Sequence, residues 1–152
     1  MSQSLDVMHT PQALAEQGWK MQPMPGHMGA IGPIWMQARE DGLWRYGLLI
    51  EDKHLNPAKI VHGGVLLTLA DHAMSSVAWL HRQRQPCVTV QLDSQFIGPA
   101  RGGDFVVCEA HISHGTRSMM FMRAELFVKD QLVLTGQGIM KMLPPQKTSP
   151  HE

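Results

Sequence analysis

The chain has 152 residues, 13 basic and 13 acidic side chains, and a formal net charge of zero. Its length suits one domain with one well-buried core. No basic stripe is present, which argues against nucleic acid as a partner, and no apolar run approaches membrane-spanning length. The opening Met1-Ser2-Gln3-Ser4-Leu5-Asp6 lacks the basic and apolar regions of a signal peptide, so a cytoplasmic protein is expected. Cys87 and Cys108 read as small core residues rather than a disulfide framework. Twelve methionines suit an adaptable apolar interior.

The first predicted element is a short helix from Pro11 to about Trp19, with Thr10 as N-cap and proline at the first helical position. Residues 21–33 contain Pro23, Pro25, Gly26, Gly29, Gly32 and Pro33 and read as loop. Strands are predicted from Ile34 to Arg39 and from Trp44 to Ile50, joined by the hairpin signal Asp41-Gly42. Glu51 to Ile60 is a polar connection. From Gly63 the period changes: Val65, Leu66, Leu69, Ala70, Ala73, Met74, Val77 and Leu80 recur at helical spacing. This helix is apolar on most sides, so it should be buried. It ends in His81-Arg82-Gln83-Arg84-Gln85-Pro86, with cations near the C-terminus and a proline stop. After Pro86 the chain reads as strands, with turns at 98–103, at Gly115 and at Lys129-Asp130-Gln131.

Strands in hairpin succession give an antiparallel sheet, and one long apolar helix must be covered by it. The expected class is α+β, with five or six strands wrapped around one helix. The expected organisation is a helix and loop over 1–33, a main domain over 34–143 and a disordered tail over 144–152.

The densest chemical signal is Val61-His62-Gly63-Gly64-Val65-Leu66-Leu67-Thr68-Leu69-Ala70-Asp71. Two glycines open the long helix, where unpaired N–H groups and partial positive charge gather. Glycine there lets another molecule approach the backbone. Asp71 is a carboxylate inside an apolar segment, expensive unless paired or used. An oxyanion donor and a general base or nucleophile are the parts of an acyl-transfer site.

The words Asn56…His62-Gly63-Gly64…Asp71, together with the element order, resemble the hotdog-fold acyl-CoA thioesterases of the phenylacetate-pathway (PaaI-like) type. The resemblance covers roughly Trp35 to Met142. No Gly-x-Ser-x-Gly elbow exists, which counts against an α/β-hydrolase. The resemblance implies that the Gly63 amide polarises the thioester carbonyl and that Asp71 activates water or attacks directly. It places Asn56 near the carbonyl and sulfur, and Thr89 where it helps to orient the water. His62 and Gly64 are expected beside the substrate, and Arg117 and Ser118 near the coenzyme A phosphates. It also implies dimers, often tetramers, with active sites between subunits, acyl-CoA as substrate, and neither a metal nor a separate cofactor.

Geometry makes the same demand for two chains. From Gly63 to Asp71 a helix rises about 12 Å. One straight helix cannot bring its own amide and its own carboxylate to one carbonyl, whereas a two-fold partner can.

Each residue also has a plainer reading. Asp71 could pair with an arginine, and the glycines could serve close packing. Asn56 could make a turn, Thr89 is ordinary on a strand, and Arg117 could sit on a solvated turn. His72 should point about 100° away from Asp71 and lie outside its site. His111 and His114 would face opposite ways on an extended strand, and no metal-binding motif is present. Two other functions suit the same layout. A hotdog hydratase or dehydratase would use His54 with an acid near position 69, which here is Leu69. A non-catalytic acyl-CoA-binding module would keep the groove without turnover.

Overall fold

A computed structural model of the chain describes residues 9–145. Most of the expected tail, 146–152, lies outside the described residues, as do residues 1–8. Helix α1 spans Pro11–Glu16, and the Thr10 hydroxyl accepts from Ala13 N–H at 3.2 Å. The helix is shorter than the expected 11–19 because Gly18 turns the chain at φ +85°, a conformation that suits glycine.

Residues 21–33 differ from the expected loop. Strand β1 covers Lys20–Gln22 and helix α2 covers Gly26–Ile31. All three β1 side chains are exposed, so no alternation betrays the strand. Backbone pairing with β2 (Ile34–Ala38) holds it. β2 turns through Asp41-Gly42 into β3 (Trp44–Leu49). Asp41 Oδ1 accepts from Leu43 N–H at 3.0 Å, and Gly42 sits at φ +81°.

Helix α3 spans Gly63–His81. Four strands follow: β4 (Cys87–Phe96), β5 (Phe105–Gly115), β6 (Met119–Val128) and β7 (Gln131–Met142). The sheet has seven strands in the order β1-β2-β3-β5-β6-β7-β4, one or two more than expected because of β1. Every neighbouring pair is antiparallel.

α3 buries Leu66, Leu69, Ala70, Ala73, Met74, Val77 and Ala78 against the sheet. Full burial of one such leucine contributes about 1.5–3 kcal/mol. On β6, Met120, Met122, Ala124 and Leu126 face the helix, alternating with exposed Phe121, Arg123 and Glu125. The helix lies close to β7 because Gly138 has no side chain there. A Cβ at that position would meet Met74 Cε at 3.0 Å. On the opposite face of the sheet, Leu14, Trp19, Trp35 and Phe105 form a second cluster that seats α1.

α3 carries the chain across the sheet, so β4 lands at the far edge. Val90 is 50% exposed there, and Val88, Phe96 and the following Ile97 are exposed with it. An edge strand has unpaired backbone groups, and an apolar one is a ready template for another strand.

Candidate active site

His62 is the N-cap of α3, in extended backbone at φ −61° and ψ 133°. Its Nδ1 accepts from Gly64 N–H at 2.9 Å. That cap uses the Gly64 amide, while the Gly63 N–H has no acceptor among the described residues. The first helical N–H therefore points outward with the partial positive charge of the helix end behind it. Both glycines also serve packing: a Cβ on Gly63 would meet the Phe96 ring at 2.9 Å, and one on Gly64 would meet His62 Nδ1 at 3.1 Å.

Gly63 and Asn56 line one cleft together with Phe96 and Ile97 of the β4 edge. The turn reading of Asn56 holds as well. Its Oδ1 accepts from Ala58 N–H at 2.9 Å and from Ile60 N–H at 3.3 Å. These bonds fix the side chain and leave its amide group without a protein acceptor among the described residues.

Asp71 lies two turns further along α3 and lines a different cleft, with His27, Met28, Leu67, Thr68, His72, Ser75 and Leu92. No cation pairs with it among the described residues. Its Oδ1 accepts from the Thr89 hydroxyl at 2.5 Å. A bulge between Thr89 and Gln91 shifts the β4 register against β7, with Val90 as the extra residue. Thr89 itself pairs with inward-facing Met140 and points at α3. The arginine-paired reading of Asp71 therefore does not apply. One chain separates the Gly63 amide and the Asp71 carboxylate into two clefts, as the helical rise requires.

His72 departs from its expectation and shares the Asp71 cleft. The cleft is wide enough to take two consecutive residues despite their turn of about 100° about the helix. The His72 ring packs edge-on against Tyr46, with centroids 5.2 Å apart. Burial lowers its pKa below the usual histidine value, partly offset by the Asp71 charge. Burial, with the Asp71 charge added, raises the Cys87 thiol, and burial raises Cys108. Neither cysteine is a thiolate nucleophile at neutral pH.

His54 is buried with both ring nitrogens occupied. Nδ1 accepts from Glu51 N–H at 2.9 Å, so Nε2 carries the proton toward the Ile31 carbonyl at 2.6 Å. It holds α2 to the body and cannot serve a hydratase as base. The position that such an enzyme would give to its acid is Leu69, which is in the core.

Arg117 and Ser118 form an exposed turn beyond the C-terminal end of α3 and line neither cleft. Arg82, just after α3, ties that turn down through the Thr116 carbonyl. A bulge between Ile112 and His114 puts His111 and His114 on the same outer face, opposite Arg123 and Phe121, contrary to the expected alternation. Among the described residues no group of three His, Cys, Asp or Glu could hold a metal ion. No described helix is long and apolar enough to cross a membrane.

The sequence carries one further signal of the Asp71 cleft. Thr68, Asp71 and Ser75 recur at i, i+3 and i+7, a polar stripe on an otherwise apolar helix. His27 and Met28 gave no such signal, because they sit in a glycine- and proline-rich stretch.

The thioesterase superfamily profile matches residues 58–135, which span α3, β4, β5, β6 and the start of β7. The chain belongs to the thioesterase superfamily. This thioesterase is 32% identical over 110 residues to a Pseudomonas aeruginosa protein that carries an esterase name, covering 72% of this chain and 82% of that protein. It is 28% identical over 109 residues to human acyl-coenzyme A thioesterase 13, covering 71% of this chain and 77% of the human protein. The solved structure of a mutant of the phenylacetic acid degradation protein PaaI from Thermus thermophilus superposes with a TM-score of 0.67 at 25% identity. The match covers 76% of this chain and 97% of that one. The fold is the hotdog arrangement expected from the sequence.

Proposed function

We propose that this protein hydrolyses acyl-coenzyme A thioesters at sites shared between two copies of the chain. The carrying observation is the division of the machinery: a helix-terminal amide in one cleft and a hydroxyl-bound carboxylate in another, the first without an acceptor and the second without a paired cation among the described residues. Each is half of an acyl-transfer site. The relatives named for acyl-coenzyme A chemistry support coenzyme A as the carrier.

The β4 edge supplies the way to join the halves. Thr89 and Phe96 both pair with β7 residues on the helix side of the sheet, opposite Met140 and Leu134. Thr89 bonds Asp71, and the Phe96 ring lies against Gly63. Antiparallel pairing of β4 with its own copy, about a two-fold axis near Leu92, sets Thr89 of one chain opposite Phe96 of the other. Asp71 of one chain then approaches Gly63 and Asn56 of its partner. The same pairing covers Val88, Val90, Phe96 and Ile97 and removes a sheet edge. A dimer of such dimers is the further assembly we assign.

In this site the Gly63 amide receives the developing negative charge on the thioester oxygen. The partner's Asp71 takes a proton from water, or attacks the carbonyl to form an anhydride that water then opens. Thr89 holds that carboxylate in line. The C–S bond breaks, coenzyme A leaves as the thiol and the acyl group leaves as a carboxylic acid. The Asn56 amide steadies the thioester from the Gly63 side, and Arg117 and Ser118 reach the coenzyme A phosphates across the assembly. The chemistry uses these side chains and water alone. The protein acts in the cytoplasm.

Thiol release from aryl, short and medium acyl-CoAs tests this reading, with wild type beside Asp71→Asn. Release by wild type and its loss in a folded Asp71→Asn variant is the expected pair. Undiminished turnover by Asp71→Asn removes the assigned role.

A further inference from the structure

We infer that helix α2 forms the outer wall of the acyl pocket, and that His27 and Met28 set which acyl groups this thioesterase accepts. The inference rests on the proposed thioester hydrolysis and names the part of the site that reads the acyl group.

The cleft that holds Asp71 has a volume of about 460 Å³ and lies between α2 and α3. Its two walls differ. One is α3, with Leu67, Thr68, Asp71 and Ser75, fixed by burial of the opposite side of the helix. The other is α2, which contributes His27 and Met28. Leu92 closes the floor. The carbonyl under attack must lie at Asp71, and coenzyme A extends toward the partner's Gly63 and Asn56. The acyl group then has this cleft to enter, where Leu67, Met28 and Leu92 supply apolar surface.

α2 is tied to the body unevenly. At its C-terminal end, His54 Nε2–H bonds the Ile31 carbonyl at 2.6 Å, and Lys53 Nζ donates to the Gly32 carbonyl at 2.8 Å. Toward its N-terminal end, one hydrogen bond among the described residues spans the cleft, His27 Nε2 to Thr68 Oγ1 at 3.2 Å. Thr68 has spent its single proton on the Gly64 carbonyl at 2.9 Å, so His27 is the donor. α2 begins at Gly26, with φ at +64°. Its outer end is therefore held by the packing of Met24 and Met28 on the core and by one exposed hydrogen bond to α3, while its base is pinned by two part-buried ties. Such a wall discriminates by bulk: methionine fills space adaptably, and the His27 tie limits how far the wall stands off.

The test compares acetyl-, hexanoyl-, phenylacetyl- and lauroyl-CoA with wild type, Met28→Trp and His27→Ala. Met28→Trp fills the cleft, so kcat/KM for phenylacetyl- and lauroyl-CoA should fall at least about tenfold while acetyl-CoA changes about twofold or less. His27→Ala removes ring and tie, and should shift the lauroyl-to-acetyl ratio upward by about threefold or more. Active variants that keep the wild-type profile overturn the inference and leave thioester hydrolysis standing. A wild type inert on every thioester overturns the hydrolytic reading instead. Binding of a non-hydrolysable phenylacetyl-CoA thioether then decides the wall. Weaker binding by Met28→Trp supports it, and equal or absent binding overturns it.

Discussion

Replacing Gly63 by proline removes the amide hydrogen at the cost of one small ring, which makes it, beside an alanine control, the sharpest probe of the helix terminus. The residue occupies the first position of α3, where an N–H has no intrahelical partner to lose. A proline forces the preceding residue into extended backbone, and His62 is already there at φ −61° and ψ 133°. The added Cβ meets Phe96 Cε1 at 2.9 Å, so that ring must shift in the variant. Gly63→Ala brings the same crowding with the amide intact and serves as the control. Loss of one oxyanion donor costs about 10²–10³ in kcat, roughly 2.7–4 kcal/mol. The alanine variant keeps the donor, so it should lose far less kcat than the proline variant. The assay is steady-state thiol release, with the melting temperature as the check on folding. A folded Gly63→Pro enzyme with wild-type kcat refutes the amide's role. An alanine variant as damaged as the proline variant traces the effect to Phe96.

Three further outcomes follow from other parts of the structure. Thr89→Val removes the hydroxyl that bonds Asp71 and should lower kcat about tenfold or more, at about 1.5–3 kcal/mol for a hydrogen bond to a charged group. Thr89→Ser should restore most of it, and equal kcat in all three enzymes contradicts the assignment. Val88→Lys with Val90→Lys places two charges on the exposed β4 edge; light scattering should show a monomer, and activity should vanish with the dimer. A dimer that persists moves the interface elsewhere. The third concerns pH. Burial depresses the His72 pKa in the folded chain, so its neutral form stabilises the fold above the unfolded value of about 6.5. That contribution is lost as pH falls below this value and through the folded pKa. The melting temperature of wild type should therefore drop more steeply from pH 7 to pH 5 than that of His72→Gln, and parallel curves contradict the burial argument.

The fold was legible where periodicity was strong. α3 begins at Gly63 as its pattern demands, because glycines, an N-cap and apolar spacing agree on one start. The hairpins after Pro86 follow from alternation and turn residues. β1 was hidden because it is three exposed residues held by backbone pairing, which leaves no side-chain pattern. α2 was hidden because two of its six residues are glycine and prolines flank it, while its anchors, His54 and Lys53, come from more than twenty residues away. Asp71 stood out as a lone acid in an apolar helix. The bond from Thr89 was readable only through resemblance, since a bulge aims it. The place of His72 was not legible, because the step of about 100° between consecutive helical residues says nothing of the width of the cleft they line.

A site divided between two chains has a direct test by complementation. Gly63→Pro and Asp71→Asn chains, each inactive alone, are unfolded together and refolded as a mixture. A mixed dimer carries one site with both defects and one with neither. Random pairing makes half the dimers mixed, so about a quarter of wild-type activity should return. A mixture no more active than its two parents, with mixed dimers shown to be present, contradicts the shared site.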